Sequence, residues 1–302
     1  MKTYFFVLLV TMLPLLSTAQ SVKVFNEIAI NDPLEACMGK LESMAGSVEL
    51  IAIDKPVFPL AENKEDHLIC KEVKTPRGTI DRMVFTFGDN QLKYVVARGN
   101  VWRVFTEGRT DTAEAYMDYS VYFDDGLFLN RKKDIAWILS PGAIHANLFT
   151  WENPLLDDSK DQESISEATT IPEFLAMGAR LESMAGPMEE NSLFTYKEEL
   201  DGSDPNAQVQ VNCFGVDYLG FPRKVEARFG DNKLNVVWIL TGKEEEERIR
   251  EALLAQFGEP VFVNNDWEIY NNWQVGLRKD KPEVLLMEQE VGLQYKESYF
   301  KQ

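Results

Sequence analysis

The chain has 302 residues, 45% of them hydrophobic, and its 49 acidic and 31 basic side chains give a formal net charge of −18. That balance excludes sugar-phosphate backbones and anionic lipid surfaces as partners, because both are bound through clustered lysine and arginine. The excess is uneven: residues 156 to 302 carry 29 acidic and 15 basic groups, a net of −14, against a net of −5 for residues 20 to 155.

The first segment reads as a signal peptide over residues 1–19. Lys2 supplies a positive start, Tyr4 to Leu16 is an uncharged and mostly apolar run, and Ser17 and Ala19 are small residues at the positions a signal peptidase reads. A run of 13 residues is too short to cross a bilayer of ~30 Å. No cysteine follows at the cleavage site. The expected destination is periplasmic or secreted, with no lipid anchor and no membrane span once the peptide is removed.

The remainder is one unit written twice. LESMAG occurs at Leu41–Gly46 and again at Leu181–Gly186, an offset of 140, and FGDN at Phe87–Asn90 and Phe229–Asn232, an offset of 142. Self-similarity of this length sets the organisation: a repeat domain over residues 20–156, a second over 171–302, and between them an acidic linker at 157–170 that holds Asp157, Asp158, Asp161, Glu163 and Glu167.

Within the first copy, Leu34, Cys37, Leu41 and Met44 recur at helical spacing behind Asp32-Pro33, and in the second Phe174, Met177, Leu181 and Met184 do so behind Ile171-Pro172. In both, Leu and Met of LESMAG should face the core and Gly should end the helix in a left-handed conformation. This register aligns Cys37 with Met177. Three strand patterns follow, with hairpin turns expected at Asp89-Asn90 and Asp231-Asn232, since both residue types tolerate positive φ. A second helix is expected at Glu244 to Phe257, its carboxylates forming a solvated first turn and Gly258 stopping it. Its first-copy counterpart is placed near Asp111, with Glu114 completing a capping-box-like pattern and Ala115, Tyr116 and Met117 following. Three more strands close each unit: Leu127–Leu129, Ile135–Leu139 and Ile144–Phe149 in the first copy, and Phe262–Tyr270, Trp273–Leu277 and Val284–Glu290 in the second, with turns at Pro141-Gly142 and Asn271-Asn272. Trp137 falls near the counterpart of Val275. The resulting fold class is α+β, two tandem repeats, each reading helix, three antiparallel strands, helix, three antiparallel strands, with the helices on one face of a sheet.

Three cysteines in an exported chain leave one unpaired. A Cys37–Cys70 bridge tying helix to sheet is the leading pairing, with Cys213, at nearly the place of Cys70 in the other copy, a buried thiol; a Cys70–Cys213 bridge and three reduced thiols are the alternatives. No catalytic residue is identified. The two histidines, His67 and His145, begin no HExxH or HxH pattern, and neither CxxC, GxSxG nor GxxxxGK[ST] occurs. His145 is placed on a strand. Asp201 to Asn206 resembles a calcium loop, but its glycine is misplaced and the closing glutamate is missing. No metal and no cofactor is expected. Trp267, Tyr270 and Trp273 form the candidate binding patch, aromatics beside amides around a hairpin, with Tyr270 as the exposed member.

In arrangement alone, tandem helix-plus-sheet units resemble secreted protein-inhibitor and envelope-assembly modules; no residue motif of those families is present, and fold does not imply function. The expectation is an exported, non-enzymatic binding protein whose partner is another protein or an envelope glycan. A carbohydrate- or small-ligand-binding module is the alternative, followed by a carboxylate-dependent hydrolase.

Overall fold

The computed structural model describes residues 23–25, 27–157, 171–281 and 283–300. The expected signal peptide and all of the linker except Asp157 lie outside the described residues. The chain is mostly β. After a small pair, β1 (Lys23–Phe25) and β2 (Ile28–Ala29), the first copy runs α1 (Leu34–Glu42), β3 (Ser47–Ile53), β4 (Glu65–Thr75), β5 (Gly78–Gly88), β6 (Gln91–Arg98), α2 (Val101–Thr106), β7 (Glu114–Tyr116), β8 (Tyr119–Tyr122), β9 (Leu127–Asn130), β10 (Ile135–Leu139) and α3 (Pro141–His145). The second runs α4 (Leu181–Glu190), β11 (Phe194–Glu199), β12 (Val209–Tyr218), β13 (Phe221–Gly230), β14 (Lys233–Leu240), α5 (Glu246–Phe257), β15 (Phe262–Val263), β16 (Trp267–Tyr270), β17 (Val275–Arg278), β18 (Glu283–Met287) and α6 (Gln289–Ser298).

Each copy is therefore a single eight-stranded antiparallel sheet, ordered β3-β4-β5-β6-β10-β9-β8-β7 and β11-β12-β13-β14-β18-β17-β16-β15. This corrects the expected three-strand groups: four strands follow each of the two main helices. Overlooked were the edge strands β3, β7 and β11 and, beside β7, β8. β3 (SVELIAI) is half-buried or exposed along its whole length, and β11 (FTYKEE) carries three charges, so neither shows the alternation that one buried face imposes.

The expected helix near Asp111 is β7. The real second helix, α2, begins ten residues earlier than Asp111, and its free N–H groups are capped from far away: Asn100 and Val101 donate to the Asp134 carboxylate at 2.7 and 3.2 Å. Asp111 is held instead by Arg109. The expected strand Ile144–Phe149 is also corrected. Ser140 caps α3, accepting from the Ala143 N–H at 3.2 Å, with Pro141 at the first helical position, and His145 ends that helix. The expected strand Val284–Glu290 stops at Met287, where Glu288 caps α6.

Three of the four expected turns agree, while Pro141-Gly142 opens α3 instead. Asp89-Asn90 and Asp231-Asn232 both have positive φ at each residue, as do Asn271-Asn272. The same β-bulge follows in both copies, between Thr86 and Phe87 and between Arg228 and Phe229. In this register Cys70 pairs with Met83 and Cys213 with Val225, four residues before each FGDN, so Cys70 and Cys213 are true counterparts. Trp137 pairs with Val96 and Leu285 with Trp238, so the counterpart of Trp137 is Leu285 and not Val275.

LESMAG behaves differently. It ends α1 but begins α4, with Gly186 and Pro187 inside the second helix. Neither Gly46 nor Gly186 has positive φ, so the left-handed terminator is corrected in both copies. The sheet contacts fix the equivalence: Leu92 exchanges backbone bonds with Asn31 and Asp32, and Leu234 with Gly178 and Ala179. Cys37 thus corresponds to Met184, seven residues from the expected Met177. Seven residues are two helical turns, off by only ~20°, so the buried face is preserved: Leu34, Cys37 and Leu41 in one copy, Met184 and Met188 in the other.

Both faces of both sheets are covered. In the first copy one face packs beneath α1 and α2 and the other around Phe58, Tyr94, Trp137 and Phe149. In the second copy α4 and α5 cover one face, and α6 with Phe300 covers part of the other. Helices on a single face is therefore a further correction.

Candidate functional site

The candidate patch is core. Trp267, Tyr270 and Trp273 are 6%, 0% and 8% exposed. Trp267 and Trp273 pack on Phe300 with ring centroids 5.1 and 6.1 Å apart. Tyr270 points to the opposite face, as alternation requires, but that face lies under α5 and its hydroxyl donates to Glu268 at 2.7 Å. No aromatic platform for a sugar remains there.

The cysteines are three free, buried thiols. Cys37 and Cys70 share one core cluster without a bridge, which corrects the expected pairing. Burial pushes both thiols up to about 12 and Cys213 to about 11, far from the depressed values of nucleophilic cysteines.

One arrangement has the parts of a catalytic triad. His67 Nε2 lies 2.8 Å from Glu65 Oε1 and Nδ1 lies 3.0 Å from the Thr86 hydroxyl. All three are buried, Thr86 completely, and no substrate can reach them. Glu65 has another task. Its Oε2 accepts from the N–H groups of Val57 and Phe58 at 2.8 and 2.9 Å, anchoring the loop before β4. Burial raises the Glu65 carboxyl, but His67 and these N–H groups outweigh it and hold the group below its ordinary range. Asp89 secures the rest of the loop, accepting from Glu62, Asn63 and Lys64.

That loop is the joint between the copies. Arg248 of α5 donates to the carbonyls of Phe58 and Ala61 at 2.9 and 2.8 Å. Phe221 of β13 packs against Phe58 at 6.2 Å and Trp151 at 5.0 Å, and Phe214 of β12 against Phe149 at 6.4 Å. A single apolar cluster thus spans both copies. Close by, Arg223 and Glu245 form a bidentate pair at 2.8 and 2.7 Å with Arg223 fully buried. Glu245 is part of the glutamate run expected to be solvated; it is 2% exposed, while Glu246 and Glu247 pair with Arg250. The calcium-like segment is equally engaged: Asp204 accepts from Asn206 and from the Tyr295 hydroxyl.

Beside the joint opens a cleft of about 810 Å³. Its walls are apolar, formed by Trp151 at the end of the first copy, Phe174 at the start of the second, and Leu193, Val216 and Pro222 from β12, β13 and the turn before β11. Its rim carries four carboxylates, Glu152, Glu173, Glu190 and Asp217, and no lysine or arginine among the described lining residues. Glu152 is paired with Lys133 at 3.0 Å. The β12 bulge at Gly215, φ +78°, shapes one wall, a common device for re-aiming side chains.

Sequence reasoning did not single out these residues, because they come from five separate segments. The signal that pointed to them was the −14 net charge of the second half. No family model, curated protein or solved structure matches the chain.

Proposed function

We propose that this chain is an exported, non-catalytic binding protein that takes a partner protein in the cleft between its two copies. The observation that carries the reading is the position of the cleft: a concavity of about 810 Å³, within the size range of binding sites, lies where the duplicated units meet. The groups that resemble catalytic machinery are buried and occupied in holding that joint together. Burial of Trp267, Tyr270 and Trp273 removes the support for a glycan partner.

The test is affinity capture from the cell envelope with the mature chain as bait, run beside Leu193→Arg, which places a bulky cation at an exposed position of the cleft wall. A protein captured by the native chain and lost with the variant supports the reading. Equal capture by both, or recovery of glycan alone, overturns it.

A further inference from the structure

We infer that the cleft accepts an extended segment of a partner protein carrying lysine or arginine side chains between apolar ones, an inference that rests on the cleft being the binding site.

Two observations converge on this chemistry. The first is complementarity. Apolar walls below a rim of carboxylates suit a side chain with an aliphatic stem and a cationic head, since the stem lies on Trp151 and Phe174 while the head stays at the hydrated rim. Glu173 and Glu190 have no ion-pair partner among the described residues. The chain's own connecting segment has the wrong sign to neutralise the rim: residues 158 to 170 hold Asp158, Asp161, Glu163 and Glu167 against a single Lys160.

The second observation is where the copies part company. Gly46 donates to the Lys71 carbonyl as Leu193 donates to that of Phe214, and the next residue of each strand, Glu72 in β4 and Gly215 in β12, has positive φ. These matches superimpose Glu190 on Ser43, Leu193 on Gly46, and Asp217 on Lys74. The first copy therefore has lysine where the second has aspartate, and small residues where the second has glutamate and leucine. The scaffold is shared; Glu190, Leu193 and Asp217, which give the cleft much of its acidic and apolar character, have no equivalents of the same type in the first copy.

The experiment uses the mature chain and two short synthetic peptides, one alternating lysine with leucine and one with glutamate in place of every lysine. Binding is measured by calorimetry near 0.15 M and near 1 M salt, where the screening length falls from ~8 to ~3 Å. The expected result is binding of the lysine peptide alone, weakened by salt, and weakened about tenfold by the combined Glu173→Gln, Glu190→Gln, Asp217→Asn variant. These side chains are exposed, and an unchanged circular-dichroism spectrum and melting temperature establish that the variant is folded. Equal binding of both peptides, binding unaffected by the variant, or no binding overturns the inference. Capture that stays sensitive to Leu193→Arg would then leave the cleft in place with a different occupant, whereas loss of both results removes the site itself.

Discussion

Glu65 and Arg248 hold the same loop from opposite sides: Glu65 accepts the Phe58 N–H at 2.9 Å and Arg248 donates to the Phe58 carbonyl at 2.9 Å. One residue belongs to each copy, and a single peptide segment connects them. The joint between the copies depends on this loop conformation.

Replacing Arg248 by methionine removes both inter-copy bonds while keeping much of the stem packing. Hydrogen bonds from a charged donor contribute about 1.5–3 kcal/mol each, so a loss of about 3–6 kcal/mol is expected for the two. Scanning calorimetry should show the single melting transition broaden or split into two. An unchanged thermogram would mean that the aromatic cluster alone couples the copies.

Acid should act on the joint through Glu65. Its folded pKa lies below the unfolded value of about 4.5, so its stabilising contribution is fully present above that value and is lost as pH falls through the folded pKa. The stability difference between native chain and Glu65→Gln, read from urea titrations, should therefore be largest near pH 6 and shrink towards pH 3. A difference that is flat or grows with acid contradicts this.

For the buried Arg223 and Glu245, removal of one partner strands a charge. Arg223→Met alone should cost about 3–5 kcal/mol, whereas the double change with Glu245→Met should cost markedly less. A double-mutant cycle by chemical denaturation measures the difference; additive costs would mean that the pair is not coupled.

The thiols should be inert in the folded chain. With Cys37 and Cys70 held near 12 and Cys213 near 11, thiolate is scarce at pH 8 and access is blocked. Ellman's reagent should label none of the three in the native protein and all three in denaturant. Recovery of one thiol after unfolding would reveal a disulfide.

What was legible in the sequence followed from local chemistry. Asp89-Asn90 and Asp231-Asn232 announce their turns because few residue types tolerate positive φ, and α5 announces itself through Ile249, Leu253 and Gly258. What was hidden depends on distant partners. The start of α2 is set by Asp134, 34 residues from Asn100. β3 and β11 lack a fully buried face, so no periodicity marks them. One-sided coverage of the sheet predicts an exposed Tyr270, and the sequence of β16 carries no information about α5 above it. The cleft was hidden for a similar reason: Trp151, Phe174, Glu190 and Asp217 meet only after both copies have folded.

The displaced LESMAG strings have a practical consequence for engineering. A chimera that exchanges helices between the copies by aligning the identical hexapeptides would set Arg180, the residue before α4, in place of Lys40 near the end of α1. The transplanted helix would then run two turns too far, into the residues that must start β3. Exchange guided by the backbone contacts of Leu92 and Leu234 avoids this clash and replaces Cys37 with Met184. Identical letters here mark similar local composition, while spatial correspondence follows the sheet.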